Sequence, residues 1–416
     1  MINKKVEGIH IMTKIYITGA KRTPIGNFLG ALKDVSAGEL GSYVIKAVLQ
    51  ASDVKAEEID EVILGNVLPA GQGQGVARQA SIKAGIPETV PAYSINMVCG
   101  SGLKSVMNAY TSIKAGESDA IIAGGVESMS QTPFLIPERT RTGMKMGNFT
   151  VKDHMMDDGL TDAFQGYHMG VTAENIVEKF GITREEQDQF AWTSQQKAIA
   201  AVDAGAFNKE IVSVETKNRR ETIIVASDEY PNRTTNLEKL SQLRAAFKKD
   251  GTVTAGNSSG INDGASATLI VGEDYLNKHQ LTPLVEIISI GQGGVSPSEM
   301  GLGPVPAIKR AIERAGLSFS DIDIFELNEA FAAQSLGVIH ELSEEFGVTK
   351  DYIQERTNVK GGAIALGHPI GASGNRILVT LIHLLKERNL RYGVASLCIG
   401  GGMGAAVIIK NTDKHV

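Results

Sequence analysis

The sequence predicts an α/β protein made of two similar halves, each a mixed sheet covered by helices, with an inserted loop domain. The first observation is a repeat, because residues 44–66 (VIKAVLQASDVKAEEIDEVILGN) align without a gap with residues 307–329 (AIKRAIERAGLSFSDIDIFELNE). Both copies contain an amphipathic helix, a turn, an Ile-Asp pair and an apolar strand. Alternating helices and strands form helix-covered sheets, and a duplication implies two such units packed together.

The second observation is that the repeat continues along the chain. Residues 99–113 (CGSGLKSVMNAYTSI) and 371–385 (GASGNRILVTLIHLL) both place a small-Ser-Gly turn at the start of a helical run. Each run is followed by a strand that ends in glycine, at 119–125 and at 393–401. Three elements in the same order indicate a duplication rather than a chance likeness between two helices.

The third observation is a change of composition between the halves. Residues 126–250 are rich in Met, Gln, Arg, Lys and Asp, and include a helix that follows Thr183. Insertions of this length commonly carry binding function. We therefore predict an N-terminal half over 14–125 and 251–280, an inserted loop domain over 126–250, and a C-terminal half over 281–412.

Composition narrows the class of protein. The 416 residues carry a formal net charge of −6, which disfavours a nucleic-acid partner. Two cysteines give no disulfide framework and suit a reducing cytosol. The first dozen residues read as a loose extension without a leader pattern, and no apolar run approaches the roughly 20 residues of a membrane span. A cytoplasmic location and no membrane partner are expected.

Cys99 lies between an apolar extended run and a helical run, in SINMVCGSGLKS. Among apolar neighbours, a lone cysteine is often a small core residue. The alternative is a nucleophile at a strand-to-helix turn, where the amides of the first helical turn favour the thiolate.

Other polar residues occupy the ends of the repeated elements. Asn328 in NEAFAAQ fits a helix cap, His368 in GHPIG fits a turn, and Cys398 fits a core strand. Corresponding strand ends of two packed units converge on one crevice, however, and a Cys beside a His is the arrangement for covalent catalysis. The glycines at 400–402 offer amides for an oxyanion. No metal site is expected, since the spacing typical of zinc ligands is missing.

Several motifs together resemble the thiolase family, and within it the short-chain acetyl-CoA acetyltransferases. They cover about residues 14–410 and read AKRTPIG, NMVCGSGLKS, AGGVESMS, YHMGVTAEN, DGTVTAGNSSGINDGA, NEAFAAQ, GGAIALGHPIGASG and CIGGGMGAA. The resemblance implies the duplicated thiolase fold, layered α/β/α/β/α. It also implies a homotetramer built as a dimer of dimers, in which SMSQTPFLIP resembles the loop that joins dimers.

The resemblance implies a role for each matching residue. Cys99 matches the acylated nucleophile, and His368 matches the histidine that activates it. Asn328 matches the residue that holds a catalytic water and forms one oxyanion hole with His368. The amides of Cys99 and Gly400 match the second hole, and Cys398 matches the acid/base thiol. The residues implied to contact the substrate or CoA are Ser259, His168, Met169, Met300 and Phe331.

One departure from the family pattern concerns the CoA phosphates. The position where many relatives have an arginine is Asn232 here, with Arg233 one place later. Arg233 is therefore predicted as a nucleotide contact. Arg219, Arg220 and Lys239 are expected to contribute to binding the CoA phosphates. A solvated charged face is the other interpretation.

The function that the resemblance implies is an acetyl-CoA C-acetyltransferase, which reversibly condenses two acetyl-CoA into acetoacetyl-CoA and CoA. Coenzyme A enters as part of the substrate, and no prosthetic group is expected. A degradative 3-ketoacyl-CoA thiolase with a broader chain length is the main alternative. A ketoacyl synthase uses a Cys with His partners, without the second Cys of this chain, and an acyl-CoA carrier would not need Cys398 or Asn328.

Overall fold

The computed structural model describes residues 13–218 and 221–413 and has the mixed α/β fold that the sequence predicts. The predicted N-terminal extension lies outside the described residues. The strands are β1 Ile15–Arg22, β2 Gly26–Asn27, β3 Glu61–Gly65, β4 Ala92–Ile95, β5 Ala120–Ser128, β6 Phe134–Leu135, β7 Lys152–Asp153, β8 Val214–Asn218, β9 Glu221–Val225, β10 Asn262–Gly272, β11 Val285–Gly294, β12 Ile324–Leu327, β13 Tyr392–Ile399 and β14 Met403–Asn411. The helices are α1 Ala37–Ser52, α2 Val76–Lys83, α3 Ser101–Ala115, α4 Met169–Phe180, α5 Arg184–Asp203, α6 Leu237–Ser241, α7 Glu273–Lys278, α8 Pro304–Ala315, α9 Ala332–Phe346, α10 Lys350–Arg356, α11 Ala363–Leu366 and α12 Ile370–Arg388.

The strand order confirms the duplication. The N-terminal half has the order β3-β5-β10-β1, and the C-terminal half repeats it as β12-β13-β14-β11. In each half the first pair is parallel and the later pairs are antiparallel. The halves meet where β1 pairs with β11, residues 15–17 against 285–287. The two half-sheets are thereby joined by hydrogen bonds as well as packed together.

The buried apolar side chains form three main layers of packing. On one outer side, α1 and α2 pack on the N-terminal half-sheet through residues such as Leu40 and Ile122. Between the half-sheets lie α3 and α12, whose Leu103 and Leu381 share a core with both halves. On the other outer side, α8 and α9 pack against strands of the C-terminal half, with Phe325 in that core. These contacts give the α/β/α/β/α layering.

The central helix α12 shows why the layers hold this order. Residues 370–382 are buried without interruption, so the helix has no solvent face over that stretch. A helix that is buried on all sides belongs to the interior of a protein. The GASGNRILVTLIHLL run accordingly lies in the middle layer, packed against both halves.

The segment between β5 and β10 covers the ends of the strands that carry the polar motifs. It contains the short antiparallel pairs β6–β7 and β8–β9 and the helices α4, α5 and α6. Helix α4 packs on α9, and α5 packs on both α9 and α11. The exact boundaries at 126 and 250 stay a prediction. Within the described residues, no helix combines the length and apolar character needed to span a membrane.

Candidate active site

Cys99 lies in a tight turn between β4 and α3. Val98 has a left-handed backbone (φ 46°), which a β-branched residue rarely adopts. Two side chains hold it there: Asn96 Oδ1 accepts the Val98 N–H at 2.9 Å, and Ser101 Oγ donates to the Val98 carbonyl at 2.6 Å. Strained turns of this kind concentrate at functional sites. The turn places the half-buried Cys99 directly before the first turn of α3.

The surroundings of the Cys99 sulfur have opposing effects on its charge. The backbone N–H of Gly400 donates to the sulfur, which lowers the thiol pKa, but burial is the larger effect and raises the pKa to about 11. The backbone amides favour the thiolate, as expected, but burial outweighs them because removal from water disfavours the charged form. Cys99 is a thiol at neutral pH and needs a base to become a nucleophile.

His368 provides a neutral imidazole. Its Nδ1 is 2.6 Å from Ser373 Oγ, and that hydroxyl donates to the Pro369 carbonyl at 2.9 Å. The hydroxyl proton is thus engaged, so Nδ1 carries the ring proton and Nε2 is left as an acceptor. Burial, together with the nearby positive charge of Arg376, lowers the pKa of His368 to about 4. The ring is uncharged at neutral pH and can accept a proton at Nε2.

Asn328 follows β12 and points at the imidazole. Its Nδ2 is 3.5 Å from His368 Nε2, and its buried Oδ1 has no hydrogen-bond partner among the described residues. Asn358 fixes the end of the strand by accepting the Leu327 N–H at 2.9 Å and donating to the Leu327 carbonyl at 2.7 Å. A buried amide oxygen without a donor is a costly feature that a reacting group can satisfy.

Cys398 is fully buried near the end of β13. It packs in an apolar cluster with Met169, Met300 and Phe331. Burial raises its pKa, and the proximity of Cys99 raises it further. The two cysteines are therefore neighbours, as the duplication predicts, although the apolar surroundings also suit a core residue.

A cavity of about 500 Å³ brings Cys99 and His368 to one space, whereas Asn328, Cys398 and Gly400 are not among the residues that line it. It is lined by Cys99 and His368, and by all the predicted contact residues except Arg233, namely Ser259, His168, Met169, Met300 and Phe331. Among the described residues, no hydrogen bond links Cys99 to His368, although both residues line the cavity. Catalytic contacts are often looser without substrate.

Aromatic residues that the sequence analysis missed form part of the cavity wall. Phe247 stacks on the His168 ring with centroids 4.4 Å apart, and its edge meets Phe331 at 6.0 Å. Phe28 and Tyr230 also line the wall. Aromatic residues make up 5% of the chain, so their gathering here is informative, but no local motif marked them.

Arg233 does not reach this cavity. It lines an adjoining groove of about 500 Å³ that shares Asn27, Tyr230 and Ala255 with the cavity. Its exposed guanidinium forms a two-pronged ion pair with Asp203, at 2.9 and 2.5 Å.

The other basic residues add no contact at the cavity. Lys239 donates to the Thr234 carbonyl, and Arg219 and Arg220 lie outside the described residues. Among the side chains that the structure describes, no group of three His, Cys, Asp or Glu is placed to hold a metal ion.

The fold and this site define an acyltransferase of the thiolase family. The family model for the thiolase N-terminal domain matches residues 15–274, and the model for the C-terminal domain matches residues 281–411. The chain therefore belongs to the thiolase family, as the motifs predict.

Individual relatives agree with this assignment. A probable acetyl-CoA acyltransferase of Staphylococcus epidermidis is 54% identical over 403 residues, which is 97% of this chain and 100% of the relative. Its counterpart in Staphylococcus aureus is 54% identical over 400 residues, covering 96% and 99%.

Two solved structures carry different activity names. The Bacillus anthracis acetyl-CoA acetyltransferase is 41% identical with a TM-score of 0.91, covering 96% of this chain and 99% of that one. Human mitochondrial 3-ketoacyl-CoA thiolase is 44% identical, also with a TM-score of 0.91, covering 97% and 100%.

Proposed function

We propose that this chain is an acetyl-CoA C-acetyltransferase that reversibly joins two acetyl-CoA into acetoacetyl-CoA and CoA. The observation that carries the proposal is the shared cavity, in which the Cys99 thiol and the proton-accepting Nε2 of His368 face the same space. The apolar wall and the few polar groups suit a thioester and its pantetheine arm.

The first half-reaction transfers the acyl group to Cys99. His368 Nε2 accepts the thiol proton, because a thiol with a pKa near 11 supplies almost no thiolate unaided. The sulfur attacks the thioester carbonyl, and the amides of Cys99 and Gly400 hold the oxyanion. The CoA thiolate then leaves and takes the proton from His368.

The second half-reaction forms a carbon–carbon bond. His368 Nε2, free again, accepts the Cys398 thiol proton, and the Cys398 thiolate removes a proton from the methyl carbon of a second acetyl-CoA. The enolate oxygen is held at Asn328 and at the protonated His368. The enolate carbon attacks the acyl-Cys99 carbonyl, and the Cys99 thiolate leaves and takes the proton from His368. The raised pKa of Cys398 makes its thiolate a strong base, which suits a weakly acidic carbon.

The acyl group on Cys99 faces bulky side chains, which supports short chains. Cys99 contacts the apolar cluster that contains Met129, Met155 and Ile370, with Leu160 against it. The second candidate, a 3-ketoacyl-CoA thiolase of broader chain length, is supported by the human mitochondrial neighbour.

Initial rates of thiolysis distinguish the two candidates. We expect acetoacetyl-CoA to be cleaved much faster than a 3-ketoacyl-CoA with an octanoyl chain. Equal rates would favour the degradative candidate. Labelling of Cys99 by iodoacetamide, blocked by prior acetyl-CoA, separates an enzyme from an acyl-CoA carrier.

A homotetramer in the cytoplasm completes the proposal. Phe134 in β6 is 69% exposed, and Ile136, which follows the strand, is 62% exposed. Two apolar side chains so exposed and only two positions apart suit a contact with another copy of the chain.

A further inference from the structure

Glu127 is a buried carboxylate that the mechanism above does not use. It lies in β5, is 0% exposed, and accepts four hydrogen bonds. Its Oε1 accepts from Asn66 Nδ2 at 2.8 Å and from Leu68 N at 3.1 Å. Its Oε2 accepts from Val67 N at 3.0 Å and from Gly371 N at 2.9 Å. All four donors are held by one side chain.

The donors come from both halves of the molecule. The 66–68 segment follows β3 in the N-terminal half, whereas Gly371 lies in the first turn of α12, three residues after His368. A Cβ atom on Gly371 would lie 2.7 Å from Glu127 Oε2, so only glycine lets the carboxylate approach this closely. Glu127 therefore links the His368 segment directly to the opposite half.

The same 66–68 segment is bonded to the chain that leads into Cys99. The Asn66 N–H donates to the Ile95 carbonyl at 3.0 Å, at the end of β4. The Val67 carbonyl accepts from Asn96 Nδ2 at 3.4 Å, and Asn96 also holds the strained turn. One path of hydrogen bonds thus runs from the Cys99 turn, through Glu127, to the start of α12.

The ionised form of Glu127 suits this position. A carboxylate accepts at both oxygens, which matches four donors, and the start of a helix favours negative charge. Burial, with a smaller effect from Asp263 on β10, raises the pKa of Glu127 to about 7 although three backbone donors lower it. Measurements at pH 8 therefore examine the mainly charged form.

We propose that Glu127 is a positioning residue, which sets the Cys99 turn and the His368 loop at their working separation across the two halves. The inference rests on the proposed roles of these two residues. It explains how a thiol and an imidazole without a mutual hydrogen bond are kept facing one cavity.

Glu127→Gln tests the proposal with little change in shape. Its amide group would face two N–H donors, so two of the four bonds are lost. Acetylation of Cys99 by acetyl-CoA, followed by intact mass in a single turnover at pH 8, is expected to slow by about 10- to 100-fold. Alkylation of Cys99 by iodoacetamide, which needs no acyl substrate, is expected to slow in parallel. Affinity for desulfo-CoA, measured by calorimetry, is expected to change by less than about twofold, since the cavity wall is untouched.

Glu210→Gln is the matched control. Glu210 is also a fully buried carboxylate, but it bonds Arg22 and Thr380 away from both catalytic segments. We expect it to lower the stability while leaving both Cys99 rates per folded molecule within about twofold of the wild type. Equal slowing in both variants, or wild-type rates in Glu127→Gln, would overturn the proposal.

The role of Glu127 can still be decided if Glu127→Gln does not fold or if the wild type is not acetylated. If Glu127→Gln does not fold, Asn66→Ala removes a single donor and is expected to slow both rates by about threefold, and unchanged rates would refute the positioning role. If the wild type is alkylated but never acetylated, the proposed function fails, whereas the alkylation comparison still decides the role of Glu127.

Discussion

His368 is a buried residue through which pH changes the stability of the folded chain. The unfolded chain binds a proton at this side chain near pH 6.5, whereas the folded chain does so only near pH 4. Between these values the unfolded state holds more protons, so this contribution to stability is lost as the pH falls.

Comparison of the wild type with His368→Asn measures this contribution, since the other groups cancel. From pH 7 to pH 4.5 the free energy of unfolding of the wild type is expected to fall by about 2.5 kcal/mol relative to the variant. Urea unfolding at each pH provides the measurement. A constant difference between the two proteins would show that His368 titrates normally.

Loss of Cys398 is expected to affect the condensation step but not the acetylation of Cys99. Cys398→Ser is expected to accept an acetyl group on Cys99, because acylation uses Cys99 and His368. It should fail to exchange the methyl protons of acetyl-CoA with deuterated water, and should lose condensation by about 10²-fold or more. Normal exchange together with normal condensation would leave Cys398 as a core residue.

At the residue scale, the sequence predicted which residues lie at the site but not their protonation states. The motifs predicted Cys99, His368 and Ser259 as site residues, and the structure brings them to one cavity. The raised pKa of Cys99 was not predictable, because it depends on burial by segments distant in sequence. Arg233 stays a predicted nucleotide contact. Its ion pair with Asp203 was not predictable, because that pair depends on how α5 lies over the chain.

At the element scale, the turn between β4 and α3 depends on a few side chains. Ser101 Oγ accepts the Met97 N–H at 2.8 Å and donates to the Val98 carbonyl. Ser101→Ala is therefore expected to lower the free energy of unfolding by about 1–3 kcal/mol and to reduce Cys99 acetylation. Urea unfolding and intact mass provide the two measurements.

Ser112→Ala is the control for this prediction. Ser112 lies in the same helix, and its hydroxyl makes a long bond of 3.5 Å to Ser118. Its loss is expected to change stability by less than about 0.5 kcal/mol. Equal effects of the two substitutions would contradict the importance of the turn.

The strand-to-helix turn was predictable because β4, the Gly-Ser-Gly sequence and the helical run are contiguous. The helical turn over 155–160 and the β6–β7 pair were not, since residues 133–160 show no sustained period of 2 or 3.6. Their backbone is held instead by local bonds: the Met155 N–H donates to Asp153 Oδ1 at 2.9 Å, and the His154 N–H donates to the Pro133 carbonyl at 3.3 Å.

At the scale of the whole molecule, the duplication predicted two similar helix-covered sheets packed together, and the two halves have the same strand order. The pairing of β1 with β11 was not predictable, because both strands lack a local signal for a partner in the other half. Such a contact arises only when the two units are packed.

Assembly is the prediction that belongs to this scale. Light scattering at micromolar concentration is expected to give the mass of a tetramer, and Phe134→Ser with Ile136→Ser is expected to shift it to a dimer, because the exposed apolar contact is lost. Leu29 is also an exposed apolar residue, at 58%, but lies elsewhere in the chain, so Leu29→Ser should leave the mass unchanged. A monomeric wild type would contradict the oligomer.

The central claim is that Cys99 carries the acyl group between two half-reactions. The most direct measurement is intact mass with peptide mapping after brief exposure to acetyl-CoA, for the wild type and Cys99→Ala. We expect one acetyl group on Cys99, removed again by added CoA, and none in the variant, whose activity falls below about a thousandth of the wild type. An acetyl group on another residue, or an active Cys99→Ala, would contradict the account.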